Sequence, residues 1–377
     1  MSVLFIVLAA FGFFAIIQLT FYLGIFTRVI RWKESTNENR PPVSVIICAR
    51  NNRKFLEENL VDVLRQDYSD FEVVVVNDGS TDGTIDFLDN LKKDESRLKV
   101  LHLDIDERFH RGKKFAQTIG IKGAKNDVLV FTDADCKPSS NQWLKNTVKE
   151  YSNQTEIVLG VANYNRKIGL TNWIVQLETF HTHLLYLNFA LAKMPYMGVG
   201  RNLSYKRPLF FSVKGFASHQ HLLSGDDDLF VNETATKSNT SVCLNPDART
   251  LSEPPRSLGA WVRQKKRHFS TGKLYRAKHK LMLFLYSFSL LMFYLTAVPG
   301  ILMSIDVMAT TPDWLYTVIG LIGLRFLVQA IVLYGNMKKL DYLKYYVVFP
   351  LMDIGILLIQ IFIGIQGYFS KPKRWNS

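Results

Sequence analysis

Long apolar stretches stand at both ends of this chain, and they set what it can fold into. Val3 to Ile30 carries no charge before Arg28. About 20 apolar residues cross a bilayer, so this stretch is long enough to span one. It lacks the basic start, short apolar core and small-residue cleavage site of a secretory signal. Arg28, Arg31 and Lys33 follow it, and the positive-inside rule puts that side in the cytoplasm.

Three further segments lie near the other end. Leu281–Ile305 is apolar and aromatic, Trp314–Tyr334 is broken by Arg325 and Gln329, and Tyr345–Phe369 is broken by Pro350, Asp353, Gln360 and Gln366. Asp306–Asp313 has no positive charge and reads as outside, whereas Asn336–Lys344 carries Lys338, Lys339 and Lys344 and reads as inside. The last segment conflicts with this rule. A full crossing puts Lys371, Lys373 and Arg374 outside, while a re-entrant or interfacial hairpin does not; we read it as a full crossing. Arg325 and Asp353 are expected to face other helices or a polar path rather than lipid. The chain thus divides into an N-terminal transmembrane helix (1–31), a globular domain (40–260), an amphipathic interfacial helix (261–280) and a transmembrane region of about three segments (281–370). It reads as an integral protein of the inner or plasma membrane with its globular domain in the cytoplasm.

The net charge of +13 over 377 residues is uneven. Lys and Arg crowd Arg256–Lys280, just before the second apolar segment, where they would meet anionic headgroups. Nucleic acid is the rival partner, but no motif for it is present and none is expected to bind. Cys48, Cys136 and Cys243 are too widely spaced for a zinc site and read as buried thiols.

The globular part alternates. Val43–Ala49 is a β-branched run and predicts a buried strand. Phe55–Gln66 has apolar residues at helical spacing. Phe71–Val76, Lys99–Leu103 and Val128–Phe131 predict three more strands, with helices over Thr84–Leu91 and Lys113–Ala124 between them. Such alternation predicts an α/β domain with a mostly parallel sheet covered by helices on both faces.

Polar clusters fall at the strand ends, where open α/β sheets bind ligands. Thr132-Asp133-Ala134-Asp135 puts two carboxylates on one side of extended backbone, as a hard divalent cation requires or as a solvated turn supplies. Asp78, after the second strand, either accepts a bond from a base or ribose or caps the next helix. Arg50 and Asn51 end the first strand in the same mouth. Arg111-Gly112-Lys113 offers charge to a diphosphate or is a solvated loop. In Ser224-Gly225-Asp226-Asp227-Asp228, three adjacent carboxylates repel, so at least one should hold its proton unusually tightly. Such a group suits general-base work; an exposed acidic turn is the alternative. Gln264-Lys265-Lys266-Arg267-His268, with Trp261 and Phe269, reads as a helix lying on the membrane surface. Trp173, His181, His183 and Phe180–Phe189 line an acceptor path or pack a helix against the membrane. Sequons begin at Asn153, Asn202, Asn232 and Asn239; glycan there would reverse the topology.

In this order the clusters resemble the family 2 inverting glycosyltransferases of GT-A fold, and within them the membrane-embedded branch of cellulose, hyaluronan and poly-N-acetylglucosamine synthases. The likeness runs from Pro42 to about Thr271. It implies a nucleotide-sugar donor, most simply a UDP-sugar, with the diphosphate held through Mg²⁺ or Mn²⁺. By resemblance Ala49, Arg50, Asn51 and Asp78 contact the nucleoside, Gln264 and Arg267 the phosphates, and Asp133 and Asp135 the metal, while Lys113 is placed with the donor by its charge alone. Gly225-Asp226-Asp227 matches the acidic motif whose last member is the base, which selects Asp227, although Asp228 leaves the register open by one. Gly198–Asn202 matches the acceptor side, with Gly200 and Asn202 foremost. His268 stands where the processive members carry tryptophan, and that departure questions polymer synthesis. The implied reaction moves a sugar to a hydroxyl of a glycan or lipid-linked acceptor in cell-surface polysaccharide biosynthesis, alone, with a membrane partner or as an oligomer. A non-catalytic nucleotide-sugar sensor or scaffold is the alternative.

Overall fold

The computed structural model describes residues 2–104, 112–222 and 224–369. The chain starts with α1 (Ser2–Thr20), prolonged by a π turn over Phe21–Ile25. The globular domain then runs β1 (Val43–Ala49), α2 (Arg53–Leu64), β2 (Phe71–Asp78), α3 (Thr84–Asp94), β3 (Leu98–Leu103), α4 (Lys113–Gly123) and β4 (Val128–Asp133). Both β2 and β4 run two residues beyond their apolar cores, so Asp78 and Asp133 are strand residues held by the ladder.

The second half was less legible. It holds β5 (Cys136–Pro138), α5 (Trp143–Val148), β6 (Ile157–Leu159), β7 (Ala162–Tyr164), α6 (Leu170–Leu191), β8 (Leu203–Lys206), α7 (Arg207–Ser212), α8 (Asp228–Thr234), β9 (Thr240–Val242) and β10 (Thr250–Ser252). These strands are three or four residues long, too short to show a period of two. The chain ends with α9 (Leu258–Gly272), α10 (Ala277–Asp306), α11 (Asp313–Leu340) and α12 (Phe349–Phe369). The interfacial helix therefore starts and stops earlier than the expected 261–280, with Ser257 capping its start through the Ala260 N–H.

The main sheet has the order β3-β2-β1-β4-β8-β6-β9, and a small sheet has the order β5-β10-β7. β1 pairs parallel with β2 on one side and β4 on the other, with Ala49 opposite Asn77 and Cys48 opposite Asp133. The winding reverses between β1 and β4, which opens a crevice at their carboxyl ends.

Alternate residues of the central strands feed two cores. Val45, Ile47, Val73, Val75 and Val130 pack on Leu56, Leu60, Leu88 and Trp143. Ile46, Cys48, Val74, Val76 and Phe131 face the other way, into a core that continues without a break through Tyr205, Phe189 and Tyr186 to Phe26, Tyr286 and Leu333 of the apolar helices. Each buried side chain of this size contributes about 1.5–3 kcal/mol. Polar bonds reinforce the joint: Asn188 Oδ1 accepts from the Val29 N–H at 2.9 Å, Asn188 Nδ2 donates to Asn336 Oδ1 at 3.0 Å, and Asn336 Nδ2 donates to Phe26 O at 2.7 Å.

Among the described residues, four helical segments are long and apolar enough to cross a membrane: Val3–Ile25, Ala277–Asp306, Asp313–Leu340 and Leu343–Ile365. They meet at one polar knot. Arg325 donates to Gln329 Oε1 at 2.6 Å, to Gln18 Oε1 at 3.2 Å and to Asp353. Gln18 donates to Ser289 Oγ at 2.8 Å, and Tyr22 donates to Asp353 Oδ1 at 3.3 Å. Arg325 and Asp353 thus face helices, not lipid. Lys371, Lys373 and Arg374 lie outside the described residues. Of the sequon asparagines, Asn202, Asn232 and Asn239 are buried, while Asn153 is exposed.

Candidate active site

Ala49 is buried at the end of β1, and the chain leaves it through Arg50 and Asn51. Asn51 has φ +54°, a left-handed conformation that asparagine tolerates better than most residues. Its N–H donates to Ser80 Oγ at 2.9 Å, and its Oδ1 accepts from the Thr81 N–H at 2.8 Å. The loops after β1 and β2 are thereby locked together. Arg50 Nη1 lies 3.7 Å from Asp78 Oδ2, and Asp78 is buried. The turn into α3 is tied by Asp82, whose Oδ1 accepts from the Thr84 N–H at 3.2 Å and hydroxyl at 2.5 Å. The capping role once open to Asp78 thus falls to Asp82.

Lys113 opens α4 and reaches across the crevice. Its Nζ lies 2.8 Å from Asp133 Oδ1 and 2.9 Å from Asp226 Oδ2. Burial works against its charge, but Asp133, Asp226 and Asp227 hold it well above the usual lysine range. In return, and against burial, Lys113 holds the Asp226 carboxyl below its usual value. Arg111, expected beside it, lies outside the described residues.

Asp133 and Asp135 are half-buried, and one ligand atom of each lies within 4.8 Å of the other and of Cys136 Sγ. Burial and the Asp133 charge raise the Asp135 carboxyl. Burial and the same two carboxylates push the Cys136 thiol well up, so it stays a thiol and donates to Asp135 Oδ1 at 3.5 Å.

The three adjacent aspartates part company. Asp226 faces Lys113. Asp228 is buried and accepts from the Thr271 hydroxyl and, at 2.9 Å, from Tyr275 OH, which fastens the acidic loop to the end of α9. Asp227 is the partly open one. Its Oδ2 accepts from the Gly200 N–H and its Oδ1 from the Asp228 N–H, both at 2.7 Å. Burial first, then Asp226 and Asp228, push its carboxyl up to about 7.

Gly200 and Asn202, expected together on the acceptor side, separate. Gly200 touches Asp227. Asn202 points into the core: its Nδ2 donates to Val161 O at 2.9 Å and Ala248 O at 2.8 Å, and its Oδ1 accepts from Trp143 Nε1 at 3.1 Å. Its amide is spent on joining strands, so the expected acceptor-side placement of Asn202 is corrected. His181 and His183 are likewise buried in α6, which matches helix packing rather than an acceptor path.

Gln264 Nε2 donates to Tyr164 OH at 3.2 Å. The Arg201 guanidinium lies 4.1 Å above the Tyr164 ring and is fixed by Ser252 Oγ at 2.6 Å and Ala162 O at 3.2 Å. From there its charge acts on Asp135. Arg267, on α9, acts on Asp226 as well. Arg201 and Tyr164 adjoin these residues, and sequence reasoning alone does not pick them out. The signal for Arg201 was its place inside Gly198–Asn202; Tyr164 had none.

Residues 44–213 match the family described as Glycosyl transferase family 2. The chain carries a family 2 glycosyltransferase domain. A Haemophilus influenzae protein named an uncharacterized glycosyltransferase is 31% identical over 129 residues, which is 34% of this chain and 38% of that protein. A Campylobacter jejuni protein named GalNAc(5)-diNAcBac-PP-undecaprenol beta-1,3-glucosyltransferase is 30% identical over 95 residues, 25% of this chain and 30% of its own length. The match spans about a third of the length of such curated relatives. Among solved structures, the mannosyltransferase PcManGT from Pyrobaculum calidifontis, in complex with GDP-Man and Mn²⁺, superposes with a TM-score of 0.56 at 21% identity, over 91% of this chain and 99% of that one. The family 2 domain of this chain therefore has the GT-A fold. These three relatives do not single out the cellulose and hyaluronan synthase branch.

Proposed function

We propose that the protein is an inverting glycosyltransferase that moves a sugar from a nucleoside diphosphate donor, most simply a UDP-sugar, to a hydroxyl of a glycan or lipid-linked acceptor. The observation that carries this reading is the meeting, at one sheet mouth, of Lys113, the Asp133–Asp135 pair and Asp227 from three separate parts of the sequence.

The nucleoside enters between the locked loops, where Arg50, Asn51 and Asp78 and the Ala49 backbone form the wall. Lys113 and Arg267 meet the diphosphate, for which an ammonium and an arginine fork are suited, and Gln264 orients the helix that carries Arg267. Asp133 and Asp135 fit a divalent cation. They supply two hard oxygens and a surplus of negative charge, while the protonated Cys136 offers no thiolate. Mg²⁺ or Mn²⁺ held there would neutralise charge on the departing diphosphate.

Asp227 is the base. It is the open member of its cluster, and a carboxyl near 7 is poised for proton transfer at neutral pH. It takes the proton of the acceptor hydroxyl as that oxygen attacks the anomeric carbon. The C–O bond to the diphosphate breaks on the opposite face, so configuration inverts in a single displacement. The topology that follows from Arg28, Arg31 and Lys33 puts this chemistry in the cytoplasm.

The test is release of nucleoside diphosphate by the purified protein in nanodiscs, with a panel of donors, with Mg²⁺, Mn²⁺ or EDTA. Metal-dependent release from one donor, lost in Asp227→Asn, is the expected result. Donor that binds but stays intact under every condition would instead favour the sensor reading.

A further inference from the structure

α11 measures depth in the membrane region. Its C-terminal end is fixed on the glycosyltransferase domain: Arg249 Nη2 donates to Lys339 O at 2.8 Å, Asn163 Nδ2 to Leu340 O at 3.2 Å, and Arg166 pairs with the Asp341 carboxylate at 2.7 Å. The chain then doubles back along α11. Tyr346 OH donates to Ala330 O at 3.1 Å, and Gln329 Nε2 donates to Phe349 O at 3.4 Å. At about 1.5 Å per residue, Gln329 lies roughly 18 Å along α11 from Asp341. So α12 begins well away from the domain, and one turn later Asp353 meets Arg325.

A helix that went on crossing would leave the domain behind. α12 does the reverse. Gln360 Oε1 accepts from Ser287 Oγ of α10 at 3.4 Å. Ile359 and Ile363 then pack with Trp261 and Val262 of α9, Val175 of α6 and Tyr164 of β7. The far half of α12 has come back to the domain.

We propose that α12 is a re-entrant helix that dips into the bilayer and returns to the catalytic face, leaving α1, α10 and α11 as the crossings. Such a path also removes the charge conflict of a fourth crossing. It has a consequence for the acceptor, which rests on the glycosyl-transfer reading. Where the crossing helices meet, Gln18, Ser289, Arg325 and Gln329 are each 0% exposed, so their junction is filled by packed side chains rather than open to a growing glycan. Meanwhile Ile363 packs in one cluster with Tyr164, the Arg201 guanidinium lies over the Tyr164 ring, and the charge of Arg201 acts on Asp135. Tyr164 and Arg201 thus lie on the way from α12 to the aspartate pair. The acceptor hydroxyl therefore arrives from the plane of the bilayer, on a lipid-anchored molecule.

The native cysteines are all buried, so single introduced cysteines report sidedness cleanly. The probes are Ser377→Cys after α12, Ser238→Cys on the exposed surface of the domain and Met308→Cys, 45% exposed between α10 and α11. In sealed vesicles with a membrane-impermeant maleimide, Ser377→Cys should react together with Ser238→Cys and oppositely to Met308→Cys. Reaction of Ser377→Cys alongside Met308→Cys overturns the re-entrant path. The same vesicles, given labelled donor, should yield label in an organic-extractable lipid on the donor side. A water-soluble polymer inside the lumen overturns the lipid-anchored acceptor. If no donor turns over while the maleimide result holds, the glycosyl-transfer reading fails and the re-entrant path stands.

Discussion

The Gly200 N–H donates to Asp227 Oδ2 at 2.7 Å. A methyl at residue 200 would sit 3.2 Å from that same oxygen. The position thus needs both a free N–H and a bare Cα for the carboxylate to keep its place. The bond stabilises the ionised form while burial and two neighbouring aspartates oppose it. Asp227 is held still and kept easy to protonate, which is what proton transfer at neutral pH demands.

Asp227→Asn keeps the shape and removes the base. Turnover should fall by ~10²–10⁴-fold, while donor affinity, read by calorimetry on the same sample, stays nearly unchanged. Retained turnover would shift the role to Asp226, because Asp228 is occupied by Thr271 and Tyr275.

The pH profile has a defined sign. Only ionised Asp227 accepts a proton, and its carboxyl stands at about 7. In the free protein kcat/KM should therefore rise with pH through about 7 and level off above it. A flat profile across that range would disconnect Asp227 from the rate.

Lys113 is the counter-charge to both Asp133 and Asp226. Lys113→Met removes one charged contact to the donor phosphates, a contact of about 1.5–3 kcal/mol. Donor affinity should drop by roughly 10–100-fold. The two carboxylates would also lose their partner, so the pH at which activity rises should move upward. Unchanged affinity would place the diphosphate elsewhere.

Arg325 and Asp353 are 0% and 3% exposed as side chains. Removing one partner of a buried pair costs about 3–5 kcal/mol. Arg325→Met alone should lower the unfolding midpoint in detergent, and the double variant Arg325→Met with Asp353→Leu should recover most of the loss. A single variant as stable as the parent would mean that the knot does not hold the helices.

Asn202→Ala takes the amide partner from the Ala248 carbonyl and the Trp143 indole N–H, while the Val161 carbonyl keeps the Thr250 N–H at 3.2 Å. A loss of about 2–4 kcal/mol in stability is expected, seen as a lower melting temperature. The KM for any acceptor should stay unchanged in the folded fraction. A raised KM at unaltered stability would restore the acceptor role.

The first four strands and their helices were readable because each carries a long apolar run or a clear helical period. Val43–Ala49 and Lys113–Gly123 matched to within a residue. The later strands could not be read, since three residues show no period. Among the site residues, Asp133 and Asp135 stood out as paired carboxylates at a strand end, and Asp227 as the middle of three adjacent acids. Asn202 misled because a buried amide and a ligand-facing amide look alike in sequence. Arg201 and Tyr164 were missed because their partnership joins β7 to a loop some forty residues on, which no local pattern records. At the end of the chain, apolar length and tail charge pointed in opposite directions, and neither records which helices α12 packs against.

The core that runs unbroken from Phe131 and Tyr205 to Phe26, Tyr286 and Leu333 has a consequence for how this molecule is handled as an object. It has no neck. A catalytic head cannot be cut free of its anchor at residue 260, because the cut would strip Thr271 and Tyr275 from Asp228 and lay bare the aromatic face of α6. Head and apolar helices should therefore melt together, in one cooperative transition, because they share one core.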